Sequence, residues 1–210
     1  KDGDVGHPST NFDYDVFSMW NYTNLFGSWN HGFFSAPASW TDAAHKNGTG
    51  IFSGIKFFDT TGGRPDGSGS WQQFISEKEG GNFKYTDAII NCLMYFGFDG
   101  INYNWESSGY DDEDVTDFHK GLWKKAAENG FDDFHCGLYC FNSGLSTWTS
   151  NALFGDKTGR TFEFMMNYQA SDFTSQMKTS AQAAIAAMGT TDGLYAGMWF
   201  VSMDRAWTRL

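Results

Sequence analysis

Residues 97–106 read Gly-Phe-Asp-Gly-Ile-Asn-Tyr-Asn-Trp-Glu, and they carry the most informative pattern in the sequence. A short run of apolar and aromatic residues that follows a glycine predicts a β-strand, whose side chains alternate between two faces. One face carries three apolar side chains that we expect to pack against helices: Ile101, Tyr103 and Trp105. The other face carries three polar side chains: Asn102, Asn104 and Glu106. The stretch therefore predicts a sheet with helices on one side and a polar row on the other.

The same alternation of short apolar runs with stretches of helical period extends along the rest of the chain. Strands are predicted at 16–22, 50–58, 97–106, 134–141, 161–168 and 194–202. Helices are predicted between them, at about 39–46, 71–79, 84–96, 111–129 and 172–188. Three of these helices are followed by a glycine, as helix C-termini commonly are: Gly97, Gly130 and Gly189. This order of elements is that of repeated βα units.

Repeated βα units imply a parallel sheet, either an open doubly wound sheet or a closed barrel. No glycine-rich nucleotide-binding motif follows the first predicted strand, so the barrel is favoured. A complete barrel takes about 250 residues and eight strands, more than the sequence supplies. We therefore expect an α/β fold, a (β/α)8 TIM barrel that is incomplete in this chain. Residues 1–210 are expected to form one catalytic domain and to be a fragment of a longer polypeptide.

Composition and charge narrow the class of ligand. Aromatic residues make up 19% of the chain, an excess that suits surfaces stacking on flat ligands such as sugar rings. The formal net charge is −11, which argues against nucleic acid or an anionic membrane as a partner, because both need clustered Lys and Arg. No apolar run approaches the roughly 20 residues that cross a bilayer. A neutral ligand is expected.

The sequence contains no pattern typical of a metal site or of a serine hydrolase. Its five histidines lack the H-x-H and H-E-x-x-H spacings, and no G-x-S-x-G motif is present. The acidic run at residues 111–114 is interpreted as a helix start and not as a calcium site. The three cysteines, Cys92, Cys136 and Cys140, are predicted to be free thiols. Neither a metal nor another cofactor is expected.

Glu106 lies at the C-terminal end of its predicted strand. In barrel enzymes the catalytic groups sit at that end of the strands, so Glu106 is a candidate acid. The alternative is that Asn102, Asn104 and Glu106 form a satisfied polar layer inside the barrel with no chemical role.

Two stretches carry a resemblance to known glycosidases. FDGINYNWE at 98–106 resembles the FDGxDxDxE signature of family 18 chitinases and, more closely, the FDGxxxNxE of family 85 endo-β-N-acetylglucosaminidases. WTDAAHKNG at 40–48 is similar to the W-x-x-A-A-H-x-x-G helix of family 85. Shorter phrases at 95–96, 141–143, 167–168 and 194–197 follow in that family's order. The resemblance covers most of the chain.

The resemblance implies retaining hydrolysis of the GlcNAc-β-1,4-GlcNAc core of N-glycans, assisted by the substrate's own acetamido group. Glu106 would be the acid/base, and Asn104 would orient the acetamide. The residues expected to bind substrate are Asn102, Tyr139, Phe141, Asn167, Tyr168, Trp20 and Trp199. The expected partner is an N-glycan or another GlcNAc-containing oligosaccharide, on a glycoprotein, in a secreted or cell-surface setting.

The sequence departs from family 85 at two positions. A tyrosine expected beside the acid aligns with Phe141, which leaves Tyr139, on the same strand face, as the candidate for supplying the hydroxyl. Asn102 replaces an apolar residue.

The aromatic residues Trp20, Tyr168 and Trp199 either line a sugar platform or pack the barrel mouth. Two other functions stay open: a family-18-like hydrolase of chitin or peptidoglycan, and a catalytically inactive glycan-binding protein on a hydrolase barrel.

Overall fold

The structure, a computed structural model, describes residues 17–27, 36–55, 71–106, 108–168 and 173–198. The strands are β1 Leu25–Gly27, β2 Gly50–Ile55, β3 Lys78–Glu79, β4 Asn82–Phe83, β5 Gly100–Asn104, β6 His135–Tyr139, β7 Gly155–Asp156, β8 Gly159–Arg160, β9 Glu163–Met166 and β10 Leu194–Ala196. The helices are α1 Ala38–Lys46, α2 Trp71–Ser76, α3 Thr86–Phe96, α4 Glu113–Glu128, α5 Ser150–Leu153 and α6 Phe173–Met188. A 3₁₀ turn at Trp20–Tyr22 precedes β1.

Six of the strands in the described part of the chain form one parallel sheet, in the order β1-β2-β5-β6-β9-β10. Their order in the sheet is their order along the chain. A doubly wound sheet would reverse its strand order at a switch point, whereas a barrel adds each strand beside the previous one. The fold is therefore α/β and of the (β/α)8 barrel type, and this chain supplies an incomplete barrel.

The first predicted strand, 16–22, is wrong. Trp20–Tyr22 is a 3₁₀ turn, in which the backbone N–H of Tyr22 donates to the Met19 carbonyl at 3.0 Å. The Trp20 ring packs on Phe17 and Phe26, so these apolar residues stabilise a turn and do not form a strand. The strand itself begins later, at Leu25.

The helix predicted at 71–79 ends early, at Ser76. The residues that follow it form a hairpin of β3 and β4, joined by Gly80 and Gly81. Both glycines have positive φ, 58° and 85°, which the tight two-residue turns of hairpins require. The other predicted helices begin and end within two residues of their predicted bounds.

Strand β5 is anchored to the helix layer by its apolar face. Ile101, Tyr103 and Trp105 are fully buried, which confirms the predicted alternation. The Nδ1–H of His119, on α4, donates to the Val115 carbonyl at 2.7 Å, so its Nε2 is the acceptor that faces the Tyr103 hydroxyl at 3.0 Å. Burial lowers the pKa of His119 to about 3 and keeps the ring neutral. This buried pair fixes β5 against α4.

Tyr103→Phe removes the hydroxyl that His119 accepts from. The loss of a hydrogen bond at a buried site is expected to lower the free energy of unfolding by about 1–3 kcal/mol, measured by urea denaturation. Tyr95→Phe is the matched control, because Tyr95 is 83% exposed and should change stability little. Equal stability of the two variants would contradict the role of the pair.

The same histidine predicts a pH dependence of stability. The unfolded chain binds a proton at His119 near pH 6.5, whereas the folded chain resists protonation until about pH 3. Stability is therefore lost as the pH falls below 6.5. Between pH 7 and pH 5 the wild type should lose about 2 kcal/mol more than His119→Gln. Parallel stability curves for the two proteins would show that His119 is not the group responsible.

Candidate active site

The polar side chains of the site collect at one edge of the sheet. In a parallel sheet the C-terminal ends of all strands meet at the same edge, which in a barrel is the edge that carries catalysis. Asn104 is the last residue of β5 and Tyr139 the last residue of β6, and the two are direct partners in register. Asn167 follows β9 immediately. Three of the predicted site residues are thereby brought together.

Asp99 and Gly100, in the first part of the FDG signature, have a structural role. The Oδ2 atom of Asp99 accepts the backbone N–H of Ile51, on β2, at 2.7 Å and lies 2.8 Å from Nε2 of His45, on α1. A Cβ atom added to Gly100 would lie 2.1 Å from the His135 carbonyl oxygen, so only glycine fits there. These contacts fix the start of β5 and so determine where its end projects.

Asn104 presents an unused acceptor. Its Oδ1 atom is buried and has no hydrogen-bond partner among the residues that the structure describes. A buried polar atom left unpaired costs about 1–3 kcal/mol, so such an atom is suited to accept a hydrogen bond from a ligand. Either an N–H or an O–H group can donate to a carbonyl oxygen of this kind.

Glu106 lies two residues beyond Asn104, and its side chain is exposed at the rim. Between them, Trp105 is fully buried, its backbone N–H donates to the Tyr139 carbonyl at 2.8 Å, and its indole N–H donates to the Ser108 carbonyl at 3.2 Å. The ladder between β5 and β6 therefore continues to Trp105. Because this residue is held on both its backbone and its side chain, the backbone position of Glu106 is fixed while its carboxylate stays open to a ligand.

A hydroxyl cluster lies beside these two residues. Tyr139 is only 3% exposed, and its hydroxyl accepts from Nδ2 of Asn167 at 3.1 Å. Its ring stacks nearly parallel on that of Tyr168, at 5.9 Å between centroids. Burial, a hydrogen bond to Tyr168 and the charge of Glu106 all raise the pKa of Tyr139. The hydroxyl therefore stays protonated, within the electrostatic reach of Glu106.

The remaining predicted site residues have different positions. Phe141 follows the end of β6 and is 60% exposed at the same edge. Asn102 lies one layer deeper, because a Cβ added to Gly137 would meet its Oδ1 at 2.8 Å. The structure does not bring Trp20 to the site, since it contacts Phe26, whose ring meets Trp40 of α1 on the helix-facing side. Trp199 lies outside the described residues.

Sequence reasoning missed a polar group below the site. The Glu163 carboxylate is buried and lies 3.0 Å from Nδ1 of His135, and it accepts from the Tyr195 hydroxyl at 3.3 Å. Glu163 pairs in register with Gly137, which places it in the same layer as Asn102. The available signal was a single acid inside the apolar run 161–166, a place where a charge needs a partner.

Among the residues that the structure describes, no group of His, Cys, Asp and Glu side chains is arranged to hold a metal ion. Cys92, Cys136 and Cys140 are free thiols. No helix in the described ranges is both long enough and apolar enough to cross a membrane.

Two solved structures share the fold of this chain. The glycoside hydrolase domain of Endo-D from Streptococcus pneumoniae R6 superposes with a TM-score of 0.66 at 16% identity, over 81% of this chain and 28% of that one. A chitinase from Chromobacterium violaceum ATCC 12472 superposes with a TM-score of 0.53 at 9% identity, over 81% of this chain and 59% of that one. This chain therefore spans about 28% of the length of the Endo-D structure.

One of two sequence comparisons identifies the family of this chain. A comparison with curated proteins finds no significant match. The model of glycosyl hydrolase family 85 matches residues 2–131, a stretch that includes the helix α1, the FDG signature, Asn104 and Glu106. Since this match covers more than half of the 210 residues, the chain belongs to glycosyl hydrolase family 85.

Proposed function

We propose that this protein is an endo-β-N-acetylglucosaminidase that hydrolyses the GlcNAc-β-1,4-GlcNAc core of N-glycans. The observation that carries the proposal is the buried, unpartnered Oδ1 of Asn104, two residues before the exposed carboxylate of Glu106. An acceptor for an N–H beside an acid is what the hydrolysis of an N-acetylated sugar needs. The family and the fold of the Endo-D domain support the same reaction class.

In the proposed reaction the substrate supplies its own nucleophile. The acetamido oxygen attacks the anomeric carbon while Glu106 protonates the departing glycosidic oxygen, and the bond between the sugars breaks. The resulting oxazoline-type intermediate is opened by water, whose proton passes to the Glu106 carboxylate. Two inversions at the anomeric carbon retain its configuration. One carboxylate therefore suffices.

Asn104 orients the acetamide in this scheme. Its Oδ1 accepts the acetamide N–H, which holds the group in the attacking geometry and increases electron density on the attacking oxygen. Fixing a nucleophile in this way is worth several kcal/mol, with measured effective molarities up to about 10⁸ M. A neutral amide performs the task without a second negative charge beside Glu106.

The surrounding residues are proposed to bind the sugar. Tyr139, Asn167 and Tyr168 form the polar wall of the site, and the exposed ring of Phe141 offers a face for stacking on a pyranose. Asn102 supports the layer below. Because the proposed partner is an N-glycoprotein, we propose that the protein acts outside the cell or at its surface.

Glu106→Gln is expected to reduce the release of N-glycans by a factor of about 10²–10⁴, because the acid/base step is removed while the shape of the site is kept. The measurement is mass spectrometry of glycans released from high-mannose, hybrid and complex glycoproteins. Glu79→Gln, in the exposed β3–β4 hairpin, is the matched control and should behave as wild type.

The outcomes separate the alternative functions. Equal glycan release by wild type and Glu106→Gln would contradict the assignment of the acid. Glycan binding without release by the wild type would indicate an inactive glycan-binding protein. Release of short oligosaccharides from chitin or peptidoglycan, while N-glycoproteins are left uncleaved, would indicate the family-18-like activity.

Asn104→Ala is expected to lower kcat by about 100-fold, since the acetamide is no longer held for attack. The effect should appear mainly in kcat, because orientation matters most in the transition state. Asn82→Ala, at an exposed position of β4, removes the same amide without consequence and serves as the control. A kcat unchanged by Asn104→Ala would contradict the role of this residue.

A further inference from the structure

Four residues of neighbouring strands form one row across the sheet, which we call the Asn104 row. Asn104 on β5 pairs in register with Tyr139 on β6, Tyr139 pairs with Met165 on β9, and Met165 pairs with Tyr195 on β10. Residues that pair in this way project to the same side of a sheet. For Asn104 that side is the inner face, opposite the helices. The row therefore places a methionine and two tyrosines on the same inner face as the unpartnered amide oxygen.

The contacts of β9 confirm that Met165 projects from the inner face. Phe164 and Met166 are fully buried in the apolar core, whereas Glu163 and Asn167 bind side chains of β6. Because side chains alternate along a strand, Met165 lies on the same side as Glu163 and Asn167. Met165 is also partly exposed, unlike the two core residues beside it. Its side chain is therefore open to a ligand on the inner face.

The Tyr195 side chain is held in place by the layer below. Its hydroxyl donates to Oε1 of Glu163 at 3.3 Å, and the same carboxylate lies 3.0 Å from Nδ1 of His135. Burial and the charge of Glu163 raise the pKa of Tyr195 to about 12, so the hydroxyl remains a donor at neutral pH. The residue is nevertheless 40% exposed. Its ring thus offers a ligand a surface of fixed position.

The geometry of an amide determines where the methyl group of a bound acetamide lies. A secondary amide is planar and trans, so its methyl group lies on the same side of the C–N bond as the N–H, and its oxygen lies on the other side. When the N–H donates to Oδ1 of Asn104, the methyl group therefore points into the Asn104 row. Neighbouring strands lie about 4.8 Å apart, so Met165, two strands away, begins about 10 Å from Asn104 along the sheet. The side chains on either side project into this space.

We propose that Met165 and the ring of Tyr195 close the pocket that receives the methyl group of the substrate's N-acetyl group, and that they make the protein select N-acetyl over longer N-acyl groups. This assignment rests on the proposed function, which places the acetamide at Asn104. Met165 supplies the apolar surface that a methyl group needs. Because Glu163 holds Tyr195 in place, the pocket cannot lengthen on that side without breaking a hydrogen bond.

Binding to Glu106→Gln tests the pocket without cleavage of the ligand. The ligands are two GlcNAc-β-1,4-GlcNAc disaccharides, in which the non-reducing sugar carries either an N-acetyl or an N-propionyl group, and Kd is measured by isothermal titration calorimetry. We expect the N-acetyl ligand to bind about 10- to 200-fold more tightly, the discrimination that an apolar pocket achieves for one carbon.

Two variants made in the Glu106→Gln background assign this preference to the pocket. Met165→Ala should lower the Kd ratio by about tenfold, because the shorter side chain leaves space for the extra carbon. Tyr195→Ala opens the pocket from the other side and should lower the ratio as well, so it decides the question if Met165→Ala does not fold. The matched control is Met94→Ala, a 44% exposed methionine on α3, which should leave the ratio unchanged. A ratio of two Kd values does not depend on the fraction of protein that is folded.

Equal binding of the two ligands by Glu106→Gln would overturn the proposal, and so would a preference that neither pocket variant reduces. Absence of binding to either ligand would overturn both this proposal and the proposed function. A wild type that releases no glycan, although Glu106→Gln prefers the N-acetyl ligand, would overturn the proposed function alone, because the binding measurement needs no cleavage.

Discussion

The carboxylate of Asp99 joins three elements, and the geometry of the site depends on it. It accepts a hydrogen bond from the backbone N–H of Ile51 and lies at hydrogen-bond distance from His45. These contacts connect β2 and α1 to the residue immediately before β5. Hydrogen bonds that involve an ionised group are worth about 1.5–3 kcal/mol each, roughly twice a neutral bond. With Gly100 packed against the backbone of β6, the start of β5 has no freedom of register. The fixed register at Gly100 therefore also determines the positions of Asn104 and Glu106, four and six residues further along the chain.

Polar groups in the lower layer of the sheet have hydrogen-bond partners, whereas those at the upper edge keep groups available to a ligand. In the lower layer, the buried carboxyl group of Glu163 has hydrogen-bond partners in His135 and Tyr195. At the upper edge, Asn104 keeps an acceptor without a partner in the described part of the chain, and the Glu106 carboxylate is exposed. Native proteins seldom leave a buried polar atom unpaired without a reason. The lower-layer groups stabilise the sheet, whereas we propose that the upper-edge groups contact the substrate.

Much of this arrangement could be predicted from local sequence patterns. The period of two along 97–106 predicted which residues of β5 face the helices, and the burial of Ile101, Tyr103 and Trp105 confirms it. Glycines after helical stretches located the ends of α3, α4 and α6, because a left-handed residue such as Gly97 closes a helix. The errors have the same local origin. Trp20 and its neighbours are apolar because they pack within a turn, and the first strand of the hairpin, Lys78–Glu79, lay inside the helix predicted at 71–79.

The contacts between distant residues could not be predicted from sequence alone. Tyr139 and Asn167 are 28 positions apart, and their hydrogen bond depends on the register of β6 and β9. The same holds for Glu163 and His135, also 28 apart. The sequence identified Tyr139, Asn167 and Tyr168 singly, whereas the structure shows that they act on one another.

In the proposed mechanism, the substrate's own acetamido oxygen attacks the anomeric carbon. The rate of hydrolysis of matched substrates, in which the acetyl methyl group carries zero, one, two or three fluorine atoms, tests this step. Each fluorine withdraws electrons from the acetamido oxygen, so we expect kcat to fall steeply and progressively along the series. A kcat that is independent of fluorination would mean that a group of the protein, or water, is the nucleophile, and would rule out attack by the acetamido oxygen.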